Sequence, residues 1–60
     1  MNIKLTFKNL DDMHNFSDAC IISISKTMSN TNLTIESKNF TDAQIAWAIK
    51  VYNAKAEQSN

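Results

Sequence analysis

The chain has 60 residues and a single cysteine, and together these two facts limit its fold more than any other feature. A chain of this length buries only about 60% of the surface that its unfolded form exposes, so its core is small and its stability marginal. Small domains usually compensate with disulfides, a structural metal or a partner chain. One cysteine excludes an internal disulfide, and the residues of a closed zinc site are lacking. The sequence therefore predicts one small domain over residues 1–60, helped by a partner chain.

The charge balance disfavours nucleic acid as that partner. Six lysines offset six acidic residues, and the sequence has no arginine. Proteins that bind nucleic acids depend on Lys and Arg against the phosphates, and Arg is their best base-reading side chain. A local patch is the remaining route to such binding, and its members would be Lys4, Lys8, Lys26 and Lys38.

No segment of the sequence has the pattern of a membrane or secretory element. The apolar residues at the start alternate with polar ones, unlike a signal peptide, and no stretch approaches the roughly 20 apolar residues of a membrane helix. We therefore expect a cytoplasmic protein, in the host cytoplasm if a phage encodes it, with Cys20 as a reduced thiol.

Residues 2–8 predict a half-buried strand. Ile3, Leu5 and Phe7 alternate with polar residues, which is the period of two that a strand with one buried face requires. Asn9 then predicts the N-cap of a helix with acidic residues in its first turn.

Residues 10–28 are open to two interpretations. On a helical wheel of about 100° per residue, their apolar side chains fall on one arc, as in an amphipathic helix. These side chains are Leu10, Met13, Phe16, Cys20, Ile21, Ile24 and Met28. The competing interpretation is a strand over residues 20–25, where Cys20, Ile22 and Ile24 alternate with Ile21, Ser23 and Ser25. The longer pattern and the lack of a hairpin turn favour the helix, which leaves Ile22 off the apolar face and partly exposed.

The second half predicts a short strand and a well-marked helix. Glycine and proline are absent, so the polar clusters at residues 29–32 and 37–39 must form the turns on either side of a strand over residues 33–36. Thr41 and Gln44 have the spacing of a capping box, which predicts a helix from about residue 42 to 57 with a frayed tail over 58–60.

These elements predict a small α+β domain with the order β-α-β-α. Two short strands would form a single layer, with two amphipathic helices packed on one face. A right-handed strand–helix–strand unit would set the two strands parallel, and in a split arrangement the gap between them could accept a further strand.

This order resembles that of the phosphocarrier protein of the bacterial sugar phosphotransferase system. That family's motif reads Gly-Ile-His-Ala-Arg-Pro, and residues 12–17 keep only its histidine, His14, and an apolar residue before it, Met13. The motif's Arg and Pro are missing, so the residues do not predict phosphotransfer through His14.

The other residues that could carry chemistry have simpler explanations. Asp11, His14 and Asp18 share a helix face, but a metal normally needs a further ligand and supporting hydrogen bonds, so a solvated acidic turn is expected. Cys20 and His14 diverge by about 120° on the wheel, so Cys20 is expected to be a buried apolar thiol. We expect no enzyme activity, no metal and no cofactor.

The last helix carries the strongest indication of function, because it is apolar on two sides. One face, expected to pack on the sheet, comprises Ile45, Ala48, Ile49, Tyr52 and Ala56. The second face comprises Ala43, Trp47, Val51 and Ala54, with Lys50 at its boundary. Such a helix is either enclosed in a large core or docked on a partner, unless the first helix wraps over Trp47. Because Trp is a favoured anchor of protein interfaces, we expect this second face, together with Ile22, to bind a host protein, a second copy of the chain in a homodimer, or both.

These features together predict a non-enzymatic protein-binding mini-protein. An Asn- and Lys-rich, Arg-free composition in so small a chain is typical of phage or mobile-element early proteins from AT-rich genomes. The expected function is inhibition of a host enzyme or defence factor by occlusion through the second helix. The alternatives are a homo-oligomeric structural or regulatory adaptor and, less favoured, a nucleic-acid binder through the lysine patch.

Overall fold

A computed structural model of the protein describes residues 2–21 and 23–59, apart from the side chain of Ser59. The fold is a small α+β domain, as the sequence predicts, but it has four strands rather than two. Its elements in chain order are β1 (Asn2–Thr6), α1 (Leu10–Cys20), β2 (Thr27–Ser29), β3 (Thr34–Ser37), α2 (Asp42–Tyr52) and β4 (Lys55–Ser59).

The four strands form one antiparallel sheet in the order β2-β3-β1-β4. With the element order β-α-β-β-α-β, this is the split β-α-β, or ferredoxin-like, topology. The strand predicted near residues 33–36 is β3, and it is antiparallel to β1, so the parallel pairing expected from the sequence is wrong. Residues 30–33 form a turn between β2 and β3 that reverses the chain, and β3 thereby fills the gap between β1 and β2.

One face of the sheet carries the helices and the other is open. Directly paired residues point to the same face, and the register sets Leu5 opposite both Ile35 and Ala56 on the helix side. Leu5 and Ile35 are fully buried. The open face carries polar side chains, which are Asn2, Lys4, Thr6, Thr27, Ser29, Thr34, Glu36, Lys55 and Glu57.

The core between the sheet and the helices is centred on Phe16 of α1. Its ring centroid lies 5.4 Å from that of Phe7, 5.9 Å from that of Tyr52 and 6.4 Å from that of Phe40. These separations are typical of favourable aromatic pairs. The buried apolar residues of the core are Leu5, Phe7, Met13, Phe16, Ile21, Ile35, Ala48 and Ala54.

Helix α1 begins as predicted and ends eight residues earlier than predicted. The Asn9 side chain accepts a hydrogen bond of 2.8 Å from the backbone N–H of Asp12, which confirms it as the N-cap. At the other end, Ile21 leaves the helical conformation and the Lys26 ammonium donates to its carbonyl at 3.1 Å. A cation at this position satisfies a free carbonyl and suits the helix dipole. The expected helix to residue 28 and the competing strand over 20–25 are both wrong, since the next strand is β2.

Helix α2 also begins as predicted. The Thr41 hydroxyl accepts from the backbone N–H of Gln44 at 3.1 Å, and the Gln44 side chain accepts from that of Thr41 at 2.9 Å, so the capping box is confirmed. Gln44 also donates from its amide nitrogen to the carbonyl of Cys20 at 3.1 Å. One side chain therefore caps α2 and connects it to the last residue of α1.

The end of α2 differs from the prediction. Asn53 lies in the left-handed region at φ 56°, and both its N–H and that of Ala54 donate to the carbonyl of Ala48. Asparagine tolerates this conformation and can replace the usual glycine at a helix end. The predicted helix over residues 53–57 and the frayed tail are therefore wrong: residues 55–59 form β4, which pairs with all of β1. Of the predicted tail, residue 60 lies outside the described residues.

Loss of the capping box is expected to weaken the domain measurably. Thr41→Ala removes the acceptor for the Gln44 N–H and should lower the free energy of unfolding by about 1 kcal/mol. In a domain of this size that corresponds to a decrease in melting temperature of roughly 4–8 °C. Thr31→Ala, at an exposed threonine of the turn before β3, is the matched control. Equal melting curves for the two variants would contradict the role of Thr41.

The two helices have 11 residues each, and neither is long and apolar enough to cross a membrane. This finding covers the described part of the chain.

Candidate protein-interaction surface

The inner side of α2 already has its partners within the domain. Ala48 is fully buried, and Ile45 and Tyr52 pack against the core at the neighbouring positions of the helix. These three residues recur at spacings of three and four, which defines one side of a helix. The apolar residues on the other side of α2 are therefore not needed to fill the core.

The outer side of α2 exposes the Trp47 stripe, which we define as Ala43, Trp47, Lys50 and Val51. Ala43, Trp47 and Val51 follow one another at intervals of four residues, so their side chains lie in one row. Trp47 is 51% exposed and Val51 48% exposed, and Ala43 and Lys50 are also exposed. The alternative that the first helix covers Trp47 is therefore wrong.

One of the two remaining residues assigned to this surface, Ala54, does not lie on it. Ala54 is only 5% exposed and belongs to the core, because the helix ends at Tyr52 and the chain turns inward after Asn53. Ile22 lies outside the described residues. Ile49, which was expected to pack on the sheet, is instead 44% exposed, because it lies beside the buried side of α2 rather than at its centre.

The polar residues considered for metal binding or nucleophilic chemistry remain apart. No three potential ligands converge within residues 2–21 and 23–59. The exposed His14 ring nitrogen Nε2 lies 3.3 Å from the side-chain oxygen of Asn30, in the turn between β2 and β3. Cys20 is partly buried against the core at the end of α1 rather than fully enclosed.

A depression of about 320 Å³ lies at one end of the sheet. It is lined by Asn2, Ser25, Lys26, Thr27, Glu36, Ser37, Lys38 and Asn39. The Ser37 hydroxyl donates to the carbonyl of Ser25 at 2.7 Å and accepts from the N–H of Asn39 at 2.9 Å. Asn2 donates to the Glu36 carboxylate at 3.0 Å. These polar groups hold strand ends and loops together, so we assign the depression a structural role.

Two of the four lysines considered as a nucleic-acid patch have other groups of the domain nearby. Lys4 lies directly between Glu36 and Glu57 on the open face of the sheet. The Lys26 ammonium binds the carbonyls of Ile21 and Ile24. Lys8 and Lys38, the other two members, are exposed. Their arrangement is less well defined than the Trp47 stripe, which is the best-defined candidate surface.

Comparisons with known proteins found no matching family, and no significant similarity to curated proteins or to solved structures. The element order β-α-β-β-α-β also differs from the β-α-β-α order on which the resemblance to the phosphocarrier family rested.

Proposed function

We propose that the protein is a non-enzymatic binding module that inhibits a host enzyme or defence factor by occlusion through the Trp47 stripe. In this proposal it is a phage or mobile-element early protein that acts in the host cytoplasm. The observation that carries the proposal is the half-exposed Trp47 on a helix whose inner side is already packed.

The residue types of the stripe support an interface. Trp combines a large apolar surface with an N–H donor, and it is enriched among the few residues that dominate binding energy. Val51 adds an apolar neighbour one turn away, the small Ala43 permits close approach, and Lys50 supplies a charge at the side. This arrangement is a small apolar centre with a polar edge, as in protein interfaces.

The stripe is also attached to a rigid part of the molecule. The capping box fixes the start of α2, Asn53 fixes its end, and Gln44 connects it to α1. A surface held in this way loses little conformational entropy on binding, which favours affinity.

Truncating Trp47 should remove the bound partner while leaving the fold intact. Affinity isolation from host lysate with the wild type should retain one specific protein, and Trp47→Ala should lose it. The expected cost is about 2 kcal/mol or more, which is a roughly thirty-fold increase in the dissociation constant. With the partner purified, the fluorescence of the single Trp reports binding directly.

Ile49→Ala is the matched control, because Ile49 is an exposed apolar residue of the same helix outside the stripe. It should retain the partner. Equal binding by the wild type, Trp47→Ala and Ile49→Ala would contradict the proposed use of the stripe.

A further inference from the structure

Strand β4 leaves one edge of the sheet open. It pairs with β1 on one side and lies last in the strand order, so its other edge has no partner within the described residues. The side chains of Lys55, Ala56, Glu57 and Gln58 are all exposed. An open edge of this kind can pair with a strand of another chain.

A row of charges on the open face indicates what that strand should carry. The register sets Glu36 of β3 opposite Lys4 of β1, and Lys4 opposite Glu57 of β4. The charge therefore alternates from negative to positive to negative across three adjacent strands. Opposite charges that face each other across strands stabilise a sheet, and like charges destabilise it. A strand added beyond β4 should therefore set a positive side chain opposite Glu57.

We propose that this added strand is β4 of a second copy of the chain. The two strands run antiparallel about a two-fold axis at Ala56, which sets Lys55 of each copy opposite Glu57 of the other. The charge row then continues through Glu57 to the lysine of the second copy. Both charge pairs form at once, because the two-fold axis repeats every contact.

The charges favour this register over the registers in which the two β4 strands are shifted relative to each other. A two-fold axis placed midway between two consecutive residues of β4 would pair residues that face opposite sides within their own chains. The helices of the two copies would then lie on opposite sides of the sheet, since side chains alternate between faces. Moving the axis by one residue sets Lys55 opposite Lys55, or Glu57 opposite Glu57. The register centred on Ala56 is thus the one that joins the two sheets with their helices on one side and opposite charges paired.

On the helix side, the same edge carries the apolar Ala56 beside the polar Gln58. Ala56 faces that side in register with the buried Leu5, yet it is exposed. Gln44 marks the side of α2 that faces α1, and Ile49 lies about 140° around the helix from it. Because α2 contacts β4, Ile49 lies on the side of α2 toward this edge. A second copy would bring two exposed alanines and two half-exposed isoleucines close to the axis.

The other edge of the sheet fits such a pairing less well. Strand β2 has three residues, Thr27–Ser29, and none of them is charged. The β4 edge is longer, carries the complementary charges and lies away from the Trp47 stripe. The self-association and the binding function proposed above therefore use different surfaces. A result that contradicts one proposal leaves the other unaffected.

Sedimentation over about 10 µM to about 1 mM protein tests the proposal, because self-association depends on concentration. We expect the mass to rise from 6.8 kDa toward twice that value. Lys55→Glu sets Glu opposite Glu in both symmetry-related pairs and should weaken the dimer at least about tenfold. Within one chain Lys55 lies opposite the uncharged Thr6, so this substitution should leave the stability of the monomer unchanged.

Lys8→Glu is the matched control, since it makes the same change in net charge at an exposed residue outside the sheet. It should leave the dimer unchanged. Backbone amide exchange along β4 should slow as the protein concentration rises. A mass of 6.8 kDa at every concentration would overturn the proposal. The proposal would also be overturned if Lys55→Glu left the dimer intact, or if Trp47→Lys abolished the dimer.

Discussion

Phe16→Ala is expected to remove a large part of the free energy of unfolding of the protein. The Phe16 side chain is fully buried, and its ring lies within 6.4 Å of three other aromatic rings, measured between centroids. Truncating a buried Phe to Ala costs about 3–5 kcal/mol, because apolar contacts are lost and a cavity remains. At about 0.05–0.15 kcal/mol per residue, a 60-residue domain has a total stability of only about 3–9 kcal/mol.

Urea unfolding followed by circular dichroism measures this effect. The matched control is Leu10→Ala, because Leu10 lies on the same helix but is 42% exposed. It should change the free energy of unfolding by less than about 1 kcal/mol. A Phe16→Ala variant that unfolds at the wild-type urea concentration would contradict the assigned core.

The second large effect is expected at Ala54. Ala54 is buried directly after Asn53, and an Asp at this position is too short to carry its charge to water. Burying an unpaired carboxylate is so unfavourable that Ala54→Asp should cost about 3 kcal/mol or more, or force the carboxyl to stay protonated. The variant should therefore be much less stable than the wild type at neutral pH and regain stability as the pH falls.

Ala43→Asp is the matched control for this substitution. Ala43 is exposed in the first turn of α2, where a negative charge suits the helix dipole. Its free energy of unfolding should stay within about 0.5 kcal/mol of the wild type. The sequence pattern placed Ala43 and Ala54 on one helix face, so equal effects of the two substitutions would contradict the structure and favour a helix through residue 57.

The helix starts could be predicted from sequence because their signals are local. Asn9 and Thr41 cap through hydrogen bonds to backbone groups three residues away, and Gln44 completes the capping box within the same turn. These contacts depend on neighbouring residues alone and do not depend on the tertiary structure of the rest of the chain.

The helix ends and two of the strands could not be predicted in the same way. Asn53 acts where a glycine is usual, and this chain contains no glycine. Strand β4 consists mainly of Lys, Ala, Glu and Gln, which are good helix formers, but pairing with β1 overrides that preference. Strand β2 is three residues long, too short for a period of two to be visible.

The candidate surface was predicted in part. The row of Ala43, Trp47 and Val51 depends only on helical spacing, and the structure exposes all three residues. The predicted position of Ala54 depended on where the helix ends. It was wrong because the helix was predicted to extend to residue 57. The charge row at the β4 edge required the strand register, which no local pattern contains.

The free energy of unfolding of Trp47→Lys tests most directly whether the outer side of α2 is a binding surface rather than part of the core. Lysine removes the apolar ring but is a good helix former, so the helix itself should persist. Because about half of the Trp47 side chain is already covered by the domain, we predict a loss of no more than about 1–2 kcal/mol, with wild-type helix content and loss of the bound partner. A variant that is unfolded, or destabilised as strongly as Phe16→Ala, would place Trp47 in the core and contradict the proposed interface.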